Sequence, residues 1–181
     1  MTHTRPLRSL ALVLVITLVA SAFGQGAPSP RALEGLDARA AVELANTWKG
    51  NGVTAFATPE AVQFAFPNGA EVSVPMPDDV MFVSVAPYLQ RTHPCATHYL
   101  SGCQGELVGV PVHVQAILAD GTVLIDEVMP TMANGFIDLW LPRDQAIDLH
   151  LSLDGAAVVG RLTTFADSRT CITDLQLTAA R

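Results

Sequence analysis

The chain has 181 residues, half of them apolar, with 10 Lys and Arg against 17 Asp and Glu and a formal net charge of −7. Beyond Arg5 and Arg8 the basic residues are scattered singly, so the charge pattern disfavours nucleic acid or an anionic membrane surface as partner. Three cysteines is an odd number: at most two can pair within one chain, and the third needs another explanation.

The first segment is expected to be a cleaved signal peptide, residues 1–22. Arg5 and Arg8 precede an apolar run from Leu10 to Ala20, and Ala20-Ser21-Ala22 fits the small-x-small cleavage rule. The run is short of the roughly 20 residues that span a bilayer. An exported, periplasmic or secreted protein follows, with no membrane attachment after cleavage. Roughly 155 residues then remain, one domain or two small ones. Residues 23–32, FGQGAPSPRA, form a Gly/Pro/Ser linker without periodicity.

A helix is expected next. Asp37 is a good N-cap, and Leu33, Leu36, Ala40, Ala41, Leu44 and Trp48 recur at three- and four-residue intervals. Gly50-Asn51-Gly52 ends it. Val62, Phe64 and Phe66 alternate with polar or small neighbours, Pro67-Asn68-Gly69 turns the chain, and Val72 and Val74 alternate again, which predicts a β-hairpin. Pro75 to Asp79 breaks the pattern and marks the expected boundary between an N-terminal helix and hairpin unit (33–78) and a β-rich remainder (79–181). In the remainder, strands are expected over Met81 to Ala86, Val110 to Leu118, Thr122 to Val128, Phe136 to Leu141, Ile147 to Leu153, Ala156 to Thr164 and Ile172 to Leu177. Asp-Gly and Asn-Gly turns separate several of them. The fold class is therefore α+β: a small helix and hairpin unit followed by an antiparallel β-sandwich-like domain. His113 and His150 fall on polar strand faces and read as solvent-facing. Trp140 shares a face with Asp138 opposite Ile137, Leu139 and Leu141, which suits a position under a loop or at an interface. Asp126 and Glu127 are adjacent, so in a strand they point to opposite faces and make a poor acid/base pair.

The chemistry concentrates in HPCATHYLSGC, residues 93–103, where two of the three cysteines and two of the five histidines lie within eleven residues. Cys95, His98 and Cys103, with His93 just upstream, supply soft donors in a segment that Pro94 and Gly102 keep irregular. Thiolates select Cu(I) or zinc over hard cations. The paired C-x2-C knuckles of a structural zinc site and the C-x-x-C of a thioredoxin-type centre are both absent. Both thiolates with Cys171 would give a trigonal sulfur site; His98 in place of one would give a mixed one. The competing reading is a Cys95–Cys103 disulfide, worth on the order of 2–3 kcal/mol by loop-closure entropy, with Cys171 left over. No Ser/His/Asp set, Gly-rich phosphate loop or carboxylate pair supports a hydrolase or transferase.

The stretches FVSVAPYLQRTHPCATHYLSGCQGEL (82–107), NGFIDLWLPRD (134–144) and TFADSRTCITDLQL (164–177) resemble the CueP family of periplasmic copper-binding proteins. The resemblance runs from about Leu36 to the C-terminus and is densest around the cysteines. It implies copper as ligand, a two-domain protomer, a tendency to form homodimers, and metal-site roles for Cys95, Cys103 and Cys171, with His98 and His93 beside them. The expectation is a protein that sequesters or delivers copper, Cu(I) rather than zinc, in the cell envelope. Its partners would be a copper-receiving protein and a system that keeps the thiols reduced. The alternative is a thiol–disulfide or metal-ion-reducing redox protein using the same cysteines.

Overall fold

The computed structural model describes residues 27–179; the expected signal peptide, 1–22, and the first residues of the expected linker lie outside them. Pro30–Leu33 forms a short 3-10 helix, so this end of the Pro-containing stretch is ordered, and it delivers Leu33 into the core. Helix α1 spans Ala38–Thr47, and the Asp37 side chain caps it by accepting from the Ala40 N–H at 2.9 Å. Its buried stripe is Ala38, Ala41, Val42 and Ala45. These small residues let the helix lie close on the sheet beneath it, and Leu36, placed by sequence in the helical stripe, precedes the cap. No helix among the described residues is long and apolar enough to cross a membrane.

Twelve strands follow: β1 (Thr54–Ala57), β2 (Ala61–Ala65), β3 (Glu71–Pro75), β4 (Val80–Val85), β5 (His98–Tyr99), β6 (Pro111–Leu118), β7 (Val123–Pro130), β8 (Ile137–Pro142), β9 (Ala146–Leu153), β10 (Ala156–Thr163), β11 (Cys171–Ile172) and β12 (Thr178–Ala179). They form three sheets, ordered β3-β2-β1-β5, β12-β10-β9-β6-β7 and β11-β4-β8. The expected hairpin is β2–β3, with Phe64 opposite Val72 and Val62 opposite Val74.

The three-stranded sheet occupies the centre of the molecule because each of its faces contributes apolar side chains to a different core. Met81, Val83 and Val85 of β4 and Ile137, Leu139 and Leu141 of β8 share one core with Val112, Val114 and Ala116 of β6 and Ile147, Leu149 and Leu151 of β9. This is the sandwich that the alternating patterns predicted. Phe82 and Trp140, one residue out of phase, turn to the opposite face and join the core made by α1 and β1–β3. Trp140 is therefore an interface residue, with the Phe82 ring 5.2 Å away and the Arg39 guanidinium 4.5 Å above its own ring. A strand buried on two sides reads as a near-continuous apolar run, and MFVSV does.

Two expectations are corrected. Ile172 to Leu177 is not one antiparallel strand: β11 covers only Cys171–Ile172 and pairs parallel to β4, while Thr178–Ala179 pairs with β10. The cysteine segment is not irregular throughout either, since His98–Tyr99 pairs with β1 and completes the first sheet. His113 is exposed as expected and lies 2.8 Å from Asp126 across the β6–β7 pair, whereas His150 is half-buried. Both are on the outer face of the five-stranded sheet, away from the cysteines.

Candidate metal centre

The site assembles where the central sheet meets the edge of the first sheet. Register places Cys171 of β11 opposite Ser84 of β4, and Ser84 opposite Asp138 of β8, so all three side chains project to the same face. The 93–103 segment crosses that face. Its strand β5 puts His98 opposite Ala57 of β1, and the Thr170 hydroxyl is inserted between these partners. That hydroxyl accepts from the His98 N–H at 3.0 Å and donates to the Ala57 carbonyl at 2.7 Å. The N–H groups of Thr170 and Cys171 both donate to the Ala96 carbonyl, at 3.0 and 3.2 Å. Thr170 thus fixes His98 and Cys171 against each other although they are distant in sequence.

The two ends of the segment are held as well. Before it, the Glu106 carboxylate accepts from the N–H groups of Leu89 and Gln90, at 2.7 and 2.9 Å, and these bonds hold it below the ordinary carboxylate range. After it, Gly105 and Gly135 meet backbone to backbone. A Cβ on Gly105 would stand 2.5 Å from the Gly135 carbonyl oxygen, and Gly135 has φ +76°. The Gly105 N–H donates to the Asn134 carbonyl at 2.7 Å, and this contact sets the turn that presents Phe136. The Phe136 ring lies 4.6 Å from the His98 imidazole and 6.5 Å from that of His93. From beyond the end of α1, Lys49 donates to the Cys103 carbonyl and to Gln104 Oε1, at 2.9 and 2.8 Å.

The five candidate donors fall into two triads that share Cys103: His93, Cys95 and Cys103, and His98, Cys103 and Cys171. In each triad the ligand atoms lie within 4.8 Å of one another. The Sγ atoms of Cys95 and Cys103 are 3.6 Å apart, and Cys171 Sγ is 3.7 Å from His98 Nδ1. Donors on one ion at bonds of about 2.3 Å stand roughly 3.8–4.0 Å apart in tetrahedral or trigonal geometry, so these spacings suit ligands of a common ion. A disulfide needs about 2.05 Å. The Cys95–Cys103 bond expected as an alternative state is not formed here, and all three thiols are free.

The triads differ in exposure. His93 and Cys95 are half-buried; His98 and Cys171 have no solvent contact. His98 Nε2 is buried without a hydrogen-bond partner, which is costly, while Nδ1 is the ring nitrogen that faces Cys171 Sγ. The thiols also differ in acidity. Cys103 is pulled down to about 3, chiefly by the neighbouring Cys171 thiol, with His98 and the Tyr99 N–H assisting against burial. Cys171 is pushed far up, first by its interaction with Cys103 and then by burial; burial is also the main cause of the rise at Cys95. Cys103 is thus the most acidic of the three thiols. Asp138 is also raised by burial, with the Ser84 hydroxyl and Asn46 amide opposing.

Residues 40–176 match the family described as periplasmic copper-binding protein CueP. The chain belongs to the CueP family. It is also similar to a solved structure described as "Crystal Structure of S.CueP", with TM-score 0.76 and 32% identity over 82% of this chain and 92% of that one. No curated protein matches. Within this CueP-family chain, the residues that sequence reasoning passed over are Thr170, Phe136, Lys49 and the Ser84–Asp138 pair. Thr170 stood beside a cysteine in TCIT and was the nearest to a visible signal. Lys49 and Asp138 come from elements tens of residues away and carried none.

Proposed function

We propose that this CueP-family chain binds copper as Cu(I), its cargo, through Cys103 with Cys171 and His98, and with Cys95 and His93 at the surface, and sequesters it or hands it on in the periplasm. The observation that supports this most directly is the pair of sulfur-rich triads, spaced for ligands on an ion, the inner one fully buried. Two or three soft donors at low coordination number suit Cu(I), and the apolar rings of Phe82 and Phe136 around His98 keep water from competing. The free thiols must stay reduced for this, so a periplasmic thiol reductant and a copper-receiving protein are its partners on this reading, and dimerisation is checked by light scattering.

The test is a competition titration of reduced protein against a Cu(I) chelator. Wild type should draw Cu(I) from the chelator, and Cys103→Ser, which removes the donor common to both triads, should abolish this. Equal competition by Cys103→Ser would end the copper reading. A second reading has one observation in its favour: the acidic Cys103 thiol lies beside the accessible Cys95 thiol. In that redox role both thiols would lose their protons and one electron each, forming a disulfide while a partner disulfide or two Cu(II) ions are reduced. Loss of two free thiols per chain on adding Cu(II) would identify it.

A further inference from the structure

The burial of the two triads differs in a way that a single metal position does not require. The inner donors His98 and Cys171 are 0% exposed, closed over by Phe82 and Phe136. The outer donors His93 and Cys95 border an open cleft of about 600 Å³, whose other wall carries Arg169, Thr173 and Asp174. An ion arriving from solvent reaches His93 and Cys95 first. Cys103 belongs to both sets, so an ion can change sets without leaving the protein.

We propose that the site has two positions, a solvent-facing docking position (His93, Cys95, Cys103) and a buried holding position (His98, Cys103, Cys171), with the ion moving between them by ligand exchange about a retained Cys103–metal bond. This rests on the Cu(I) reading. In the exchange, bonds from the ion to Cys171 Sγ and His98 form as those to Cys95 Sγ and His93 break. The Cys171 thiol proton passes to the Cys95 thiolate that the ion releases, and no electron moves. The holding position supplies affinity through desolvated soft donors. The docking position supplies a path in and out, because three-coordinate thiolate sites exchange ligands one at a time and need an accessible incoming donor. Reversed, the same exchange offers the ion at the cleft to an acceptor's thiolates.

The experiment uses the reduced mature chain and Cu(I) presented as its bicinchoninate complex, with stopped-flow loading and equilibrium competition read separately. His93→Ala and Cys95→Ser should slow loading by about tenfold or more and lower final affinity by clearly less than Cys171→Ser does. Cys171→Ser should leave the fast phase nearly unchanged and lower affinity by about a hundredfold. If His93→Ala and Cys95→Ser lower affinity as much as Cys171→Ser, or leave the loading rate untouched, the two-position scheme is wrong. Should Cys171→Ser not fold, the outer variants decide by themselves, because His93 and Cys95 are partly exposed. Wild-type protein that takes no Cu(I) from the chelator would instead overturn the copper reading, an outcome distinct from either of these.

Discussion

Thr170→Val removes one oxygen and keeps the shape and β-branching of the side chain, so its effect isolates the hydroxyl inserted between β1 and β5. Two groups lose their partner: the His98 N–H, 3.0 Å from Oγ1, and the Ala57 carbonyl, 2.7 Å from it. Thr170 is 2% exposed and His98 0%, so water cannot take over without opening the sheet edge. An unsatisfied buried group costs about 1–3 kcal/mol, and with partial relaxation of the carbonyl the sum is about 2–4 kcal/mol. For a chain of this size that lowers Tm by about 5–15 °C. Urea unfolding of the reduced, metal-free protein, followed by tryptophan fluorescence, should show a lower midpoint at unchanged slope, because Trp48 is buried in the core beside this sheet. Thr170→Ser, which retains the oxygen, should recover most of the loss. The Cu(I) affinity of Thr170→Val should also fall, since His98 is positioned through this bond. A Thr170→Val protein within about 0.5 kcal/mol of wild type would refute the reasoning, and would mean that β5 is held by other contacts.

Gly105→Ala drives a Cβ to 2.5 Å from the Gly135 carbonyl oxygen, backbone against backbone, and should destabilise by about 1–3 kcal/mol or more while weakening Cu(I) binding. Gly102→Ala, whose Cβ meets nothing nearer than 3.9 Å, should stay within about 0.5 kcal/mol in the same urea titration. Arg143→Ala removes the donors to the Pro77 and Pro59 carbonyls; hydrogen exchange across residues 59–77 should quicken, with a loss of about 1.5–3 kcal/mol. The apo protein should show a cysteine-dependent pH profile. With Cys103 ionising at about 3 when folded and near 8.5 when unfolded, the unfolded chain holds the extra proton between these values, so the Cys103 contribution to stability grows as pH rises through that window. Cys95 and Cys171 are raised; above their unfolded value the folded chain holds the extra protons, and their contribution falls. The stability difference between wild type and Cys103→Ser should therefore increase from acid to neutral pH, and a flat difference would contradict the assignment.

The elements with a period were legible. β6, β8 and β9 alternate over six to eight residues, enough to fix which face turns inward, and Asp37 announced α1 by its capping chemistry. β5 and β11 are two residues each, too short to carry a period, yet they are the strands that carry His98 and Cys171. Their placement comes from long-range pairing and from a side-chain hydroxyl bridging two strands, neither of which leaves a local trace. The candidate donor set was readable because soft side chains are rare in this composition. Its division into two triads was not, because burial at His93 and Cys95 versus His98 and Cys171 depends on Phe136 and Phe82, which come from other strands. Trp140 shows the middle case: the pattern placed it on the face opposite the sandwich core, and only the packing of Arg39 and Phe82 shows what covers it.

The parallel pairing of β11 with β4 also sets an order of events. Cys171 lies near the C-terminal end and 68 positions beyond Cys103, while Cys95 and Cys103 are separated by eight. Closing the short loop costs little chain entropy and the long one more, and non-local strand pairing is slow. During synthesis the two loop thiols emerge together, with the third still to follow. If the two-position scheme holds, assembly of the holding position is expected to come late in folding, in kinetic competition with any oxidant that reaches the loop pair first. On that reading copper present at that moment would trap the reduced chain, and oxidant would divert it to a form in which the two loop sulfurs are bonded to each other. The yield of metal-competent protein then depends on the ratio of two rates, folding of the C-terminal segment and oxidation of the loop, and refolding at increasing oxidant should lower that yield without changing the stability of the molecules that escape.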